Sequence, residues 1–304
     1  MKISTSFLFD RATERMSTLQ NQLATTQTQL SVSKQVLSPS DAPEQAAAIS
    51  RLHGQINRQD SHSKLLKTTL NRYQAEETAL KSGNDLLIRL KELGIQAANE
   101  TLGTEERKTI GIEMGALRDQ LISLGNTQDD NGNYLFSGTR VRTAAFRSDG
   151  NGHIQYQGDQ TPTQVPAGVE RTVQYTRSGT DVFQRVVRSD GTAISFFDAL
   201  DQMIAGVNGN NTPDIQQGIG DLTQMHDALN LSLAQTGSDQ KVVQSQLDVL
   251  TETALRLKST LSEIEDLNYA EAVTRMNKEA MALEAAMSSF TKISSLSLFD
   301  YIKG

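Results

Sequence analysis

The chain has 304 residues, no cysteine, no tryptophan and a formal net charge of −7 at pH 7. Absence of cysteine excludes disulfides, thiolate metal sites and cysteine nucleophiles, and an acidic chain without clustered Lys and Arg is a poor partner for nucleic acid. Hydrophobic residues make up 37% and aromatics 5%, low for a compact enzyme core and ordinary for helices whose apolar residues lie in stripes.

At the amino terminus, Phe7, Leu8 and Phe9 are broken by Asp10 and Arg11, so no cleaved Sec-type signal is expected. No run approaches the ~20 apolar residues of a membrane helix, and no membrane insertion is expected. Phe9, Ala12, Met16, Leu19, Leu23, Thr26, Leu30, Ser33 and Leu37 step alternately by three and four residues, which predicts a long helix with a heptad seam. Pro43 opens a second helix carrying Ile49, Leu52, Ile56, Leu66, Leu70, Tyr73, Leu80 and Leu87 and ending before Gly103. Thr104, backed by Glu105 and Glu106, reads as the cap of a third, with a seam of Ile110, Met114, Leu117, Leu121 and Leu124 closed by Gly125.

From Tyr134 to Ile194 the pattern changes to short alternating stretches. Ser148-Asp149-Gly150-Asn151-Gly152 between Phe146 and Ile154 is a hairpin signal, and Val169, Val173, Tyr175, Val182, Phe183 and Val187 continue in that style. These strands are expected to be self-contained. Helical spacing returns from Pro213 to Gln235 through Ile215, Ile219, Leu222, His226, Leu229 and Leu233. It continues in a seam of Leu247, Leu250, Ala254, Leu257, Leu261 and Ile264, and in another of Tyr269, Val273, Met276, Ala280, Leu283, Met287 and Phe290. The register shifts between Ile264 and Tyr269, which predicts a break there.

The expected fold is therefore mainly α with a β insert: long terminal coiled-coil helices, a helical-bundle shaft domain and a small β-rich outer domain. In residues, 1–40 and 269–304 are read as coiled-coil polymerisation segments, 41–133 and 195–268 as the shaft, and 134–194 as the insert. One apolar stripe facing water does not offset the ordering of some thirty residues in each terminal helix, so neighbouring molecules are expected to complete the burial. The candidate subunit- and chaperone-binding residues are Met16, Leu19, Leu23 and Leu30 near one end and Leu283, Met287, Phe290, Ile293, Leu296, Leu298, Phe299, Tyr301 and Ile302 at the other. An apolar density of that kind at a terminus signals docking.

Catalytic and metal-binding patterns are missing. His53, His62, His153 and His226 are scattered with no HExxH pair, and His226, on an apolar stripe, reads as a partly buried helix histidine. TQDDNG at 127–132 has Gly138 where a calcium loop needs Glu, and reads as a turn between helix and strand. No serine lies in GxSxG and no phosphate-cradling GxxxxGK[ST] occurs. No cofactor, metal or enzymatic activity is expected.

Several stretches resemble the flagellin superfamily and, within it, the hook-associated protein 3 family of hook-filament junction proteins. LSVSKQVLSPSDAPEQAAAI (30–49) is similar to the passage from terminal coiled coil to shaft, with Asp41-Ala42-Pro43 where the family often has Asp-Asp-Pro. Gln96-Ala97-Ala98-Asn99 with Arg107 and Glu113, and Ile264-Glu265-Asp266 with Tyr269-Ala270-Glu271, are similar to flagellins generally; NYLFSGT (133–139) and SLFDYI (297–302) resemble the junction branch. The resemblance covers about three quarters of the chain and leaves the insert unmatched. It implies an extracellular subunit of the bacterial flagellum, exported unfolded through the type III channel by an export chaperone that holds the carboxyl-terminal helix. Its implied partners are copies of itself, the other hook-associated junction protein and flagellin. A small flagellin is the alternative, and an enzyme with its site in the insert a more distant one; the insert disfavours a coiled-coil adaptor.

Overall fold

The computed structural model describes the backbone of residues 2–167 and 172–302, and side chains for residue 7, residues 9–167 and residues 172–292. Val169 lies outside the described residues. The chain runs α1 (Lys2–Val32), α2 (Pro43–Ala97), α3 (Thr104–Gly125), β1 (Phe146–Ser148), β2 (Ile154–Tyr156), β3 (Gln164–Pro166) and β4 (Thr172–Gln174). It continues through α4 (Gly179–Val182), β5 (Val186–Val187), β6 (Ala193–Ile194), α5 (Phe196–Asn208), α6 (Thr212–Glu265) and α7 (Tyr269–Ile302). The mainly α fold with long terminal helices and a small strand-bearing insert is the expected one.

Particular elements differ. α6 is one helix of 54 residues where the spacing gave two segments; no proline interrupts it, and Gly237 lies in open space, so it weakens the helix without breaking it. Thr104 does not cap α3: Gly103 occupies that position without a side-chain cap bond, and the Thr104 hydroxyl accepts from Asn210 Nδ2 at 3.2 Å instead. α5 has no counterpart among the expected elements. It starts where Ser195 Oγ accepts the Asp198 N–H and buries Phe196, Phe197, Leu200, Met203 and Val207. Two helical glycines serve close packing: a methyl group at Gly94 of α2 or Gly218 of α6 would overlap the Met203 side chain.

The chain divides into two compact units, residues 1–60 with 252–304 and residues 61–251. In the second, strands among the described residues pair as three separate antiparallel ribbons, β1–β2 with Phe146 opposite Tyr156, β3–β4 with Val165 opposite Val173, and β5–β6 with Val186 opposite Ile194. They are not self-contained. Two-stranded ribbons cannot bury an apolar face alone, and theirs joins the helical core. Phe146 packs against Phe183 and Phe197 at 5.0 and 5.1 Å between ring centroids, within one cluster that also holds Leu80, Leu87, Leu121, Met203 and Leu222.

A buried ionic group ties the same unit together. Arg72 donates to Asp129 at 3.1 Å and to the Tyr134 and Leu135 carbonyls at 3.1 and 2.8 Å. Arg177 pairs with Asp239 at 3.2 Å, and both arginines face the buried Glu76, Nε to carboxylate, at 3.8 and 3.6 Å. Burial pushes the Glu76 carboxyl from 4.5 up to about 7 against the pull of Arg177 and Arg72. Asp129 thus closes the TQDDNG turn, accepting from the Asn131 and Asn133 N–H groups, with an arginine where a calcium loop would hold its ion. The middle of the NYLFSGT stretch is core: Leu135 and Phe136 are fully buried, and the Phe136 carbonyl accepts from Gly179 N at 2.6 Å and Tyr156 Oη at 3.1 Å.

Candidate assembly interface

Within the first unit, α1 and α7 pack antiparallel along their length. Phe9 and Phe290 meet edge to face at 5.2 Å near one end; at the other, Tyr269 Oη donates to the Leu30 carbonyl at 3.1 Å and lies 2.6 Å from Ser33 Oγ. Between them Arg275 donates to Gln29 Oε1 at 2.9 Å. The connections that end the two helices are clamped together: Gln35 N donates to the Glu265 carbonyl at 2.8 Å, Leu267 N donates to that of Ser33 at 3.1 Å, and Lys34 pairs with the Glu265 carboxylate. Ser33, at φ 60°, turns the chain out of α1. The break expected between Ile264 and Tyr269 falls at this clamp.

The α1 seam falls as its spacing predicts from Phe9 to Leu30, while Ser33 is exposed and Leu37 lies beyond the end of the helix. Phe9, Ala12, Met16, Leu19, Leu23 and Leu30 are half-buried and Thr26 is buried. On α7 the spacing is half right. Met276, Leu283 and Phe290 face inward, but alternate with Ala272, Glu279 and Ala286, whereas Tyr269, Val273 and Met287 are 51%, 41% and 45% exposed. The inward row was illegible because two of its members are alanines and one is charged; its signal was the four-three spacing of small residues. Ile293, Leu296, Leu298, Phe299, Tyr301 and Ile302 lie on the last turns of α7, and their side chains fall outside the described residues.

What is absent from this unit is depth. Its buried residues among those described are Thr26, Ile56, Glu265 and Ala272, with no large side chain below 2% exposure. Grooves of roughly 430 and 420 Å³ run along the pair, one lined by Arg11, Ala12, Arg15, Ala286 and Phe290, another by Thr18, Gln22, Thr26, Gln29 and Glu279. Phe7, Met281 and Met287 remain 60%, 67% and 45% exposed. Glu279 Oε2 is buried without a hydrogen-bond partner among the described residues. Two helices of this kind bury one face of each and leave apolar surface that further helices can cover.

Two family models, the bacterial flagellin N-terminal helical region over residues 3–141 and the C-terminal helical region over residues 219–302, together match well over half of the sequence. The chain belongs to the flagellin family. The strands, α4 and α5 lie in the part that neither flagellin model covers. Among curated relatives, flagellar hook-associated protein 3 of Escherichia coli is 26% identical over 100% of both chains, and that of Salmonella typhimurium 26% over 99% of both; the flagellin of Listeria innocua is 20% identical over 96% of this chain and 95% of its own. Solved structures share the fold. FlgL of Xanthomonas campestris superposes with a TM-score of 0.62 at 22% identity, covering 70% of this chain and 99% of that one. Flagellar hook-associated protein 3 of Legionella pneumophila gives 0.64 at 17%, covering 71% and 98%.

Proposed function

We propose that the chain is a structural subunit of the bacterial flagellum that joins the hook-associated collar to the flagellin filament, and that it carries no catalysis. The observation behind this reading is that relatives named hook-associated protein 3 match end to end, over 99–100% of both chains, where the Bacillus subtilis flagellin at the same 26% identity covers 78% of this chain; the long, shallowly buried α1 and α7 fit an assembling subunit. Residues 1–40 and 269–304 are the polymerisation segments. They meet copies of the same chain, the other hook-associated junction protein on one side and flagellin on the other. Met16, Leu19, Leu23, Leu30, Leu283, Met287, Phe290 and the residues from Ile293 to Ile302 supply the contact surface, and the carboxyl-terminal part of α7 is held by an export chaperone before secretion. The subunit leaves the cell through the flagellar export channel and works outside it.

Phe290→Asp tests the reading, because it removes roughly 1.5 to 3 kcal/mol of apolar burial and adds the desolvation of a carboxylate in every copy of an assembly. Cells carrying it should have hooks without filaments and shed flagellin into the medium, as a deletion strain should. Mutant protein free in the medium assigns the defect to assembly, and mutant retained inside the cell assigns it to the chaperone. Normal filaments on those cells would overturn the assignment of this stripe.

A further inference from the structure

Three Asn-Gly pairs occur in the chain, Asn131-Gly132, Asn151-Gly152 and Asn208-Gly209. Asparagine followed by glycine is the sequence most open to spontaneous deamidation, since no side chain obstructs attack by the glycine nitrogen and asparagine is already among the thermolabile residues. The fold treats the three differently. Gly132 N–H donates to the Asp129 carbonyl at 2.9 Å, and Asp129 Oδ1 holds the amides on both sides of it. Gly209 N–H donates to the Ala205 carbonyl at 2.8 Å at the end of α5.

Gly152 has no such partner: its N–H makes no hydrogen bond among the described residues, although the matching glycine of the β5–β6 loop, Gly191, donates to Arg188 at 2.9 Å. Gly152 and Gly191 share a positive φ, 94° and 83°; the β1–β2 loop differs at Gly150, whose φ of 89° has no counterpart at Ser189 of the other loop. Residues 149–153 are exposed. Holding the loop are Asp149 N to the His153 carbonyl, Asn151 N to Asp149 Oδ1, and Arg118 to the Gly152 carbonyl at 3.3 Å; none of these engages the attacking nitrogen or the Asn151 carboxamide.

We propose that Asn151 is a self-modifying site, the Asn-Gly pair that the fold leaves competent to deamidate. The Gly152 nitrogen bonds to Asn151 Cγ and loses its proton, and the carboxamide nitrogen leaves as ammonia. The resulting succinimide takes up one water and opens to aspartate or isoaspartate. The product adds one negative charge to the β1–β2 tip, and in the isoaspartate form one extra backbone atom. A subunit that is not renewed after secretion accumulates this mark with age, so the inference rests on the proposed extracellular role only for its biological consequence, not for its chemistry.

Full-length protein held in mildly alkaline buffer and mapped by peptide mass spectrometry measures the gain of about one dalton at each asparagine. The peptide containing Asn151 should gain it several-fold faster than those containing Asn131 and Asn208. In urea the three rates should converge, and Asn151→Gln should abolish the fast component. Equal rates in the native protein, or a faster rate at Asn131 or Asn208, would overturn the proposal whatever the protein does in the flagellum.

Discussion

The same chain buries its apolar residues in two ways. In residues 61–251, Leu66, Leu87, Leu90, Leu121, Leu135 and Phe136 are all at 0–1% exposure, and helices and ribbons surround them on every side. In residues 1–60 and 252–304, Leu19, Leu23, Leu283 and Phe290 follow an equally regular pattern and are only half-buried, because two helices present a line of contact where a core needs a volume. The lesson is that apolar periodicity states which side of a helix is to be covered, and says nothing of how many elements cover it.

The largest effect is expected from removing residues 140–188 and closing the gap with a short Gly link. The segment contributes Phe146 and Val186 from its ribbons and Val182 and Phe183 from α4 and the residue after it to the shared core, so the unit should lose its cooperative thermal transition altogether. A helical unit that still melts cooperatively would show that the ribbons are ornaments on a core complete without them.

Next in size is the ionic group. Arg72→Ala leaves Glu76, at 0% exposure, without one of its two cations, and breaking a buried pair from one side costs about 3–5 kcal/mol. It also frees the Tyr134 and Leu135 carbonyls. Denaturant midpoints should register a loss of this order, and a loss under ~1 kcal/mol, the range of surface pairs, would mean that water replaces the arginine.

Acidity probes the same group more gently. Glu76 titrates near 4.5 in the unfolded chain and at about 7 in the folded one, so between these values the native state holds a proton that the unfolded state has released. The stability contributed by this protonation is full below pH 4.5 and is lost as pH rises through about 7. His153, raised by its bond to Asp198, acts in the same direction, whereas Asp159 and Asp190, lowered from 3.8, act only in stronger acid. Unfolding free energy should therefore rise on acidification from neutrality, and Glu76→Gln should flatten the rise; a slope unchanged in that variant assigns it to His153.

Legibility followed the same division. The α1 seam could be read from Phe9 to Leu30, since large apolar side chains mark most of its steps, but not at its end, where Ser33 is exposed and Leu37 lies past the helix; the hairpin at Phe146–Tyr156 announced itself through Asp-Gly and Asn-Gly. On α7 half of the visible pattern, Val273, Ala280 and Met287, marks a row that the single chain leaves outside, while Ala272 and Ala286 share the inner row with Met276, Leu283 and Phe290 and give no hydrophobic signal. Arg72 and Glu76 at four-residue spacing look like a solvated surface pair, and nothing local distinguishes them from one; their burial depends on Asp129, Arg177 and Asp239 arriving from elsewhere in the sequence. α5 was hidden by its neighbours, since its aromatic start continues the style of the strands before it.

The smallest effect compares one chemical change at two sites. Leu87→Ala, in the deep core at 1% exposure, should cost about 2–5 kcal/mol. Leu23→Ala, on the half-buried α1 seam, forfeits only part of a leucine's burial, about 1 kcal/mol in the isolated chain, read as faster hydrogen exchange in α1 alone. In assembled flagella the comparison should change. If neighbouring subunits cover the outer rows of α1 and α7, Leu23 loses its remaining exposure on assembly, and the same truncation then removes as much burial as Leu87→Ala does. Exchange protection of α1 should therefore fall further in assembled Leu23→Ala flagella, relative to assembled wild type, than it does between the two monomers. Equal losses in monomer and assembly would mean that the α1–α7 seam is already as covered as it will ever be, and that the contact between subunits lies on another surface.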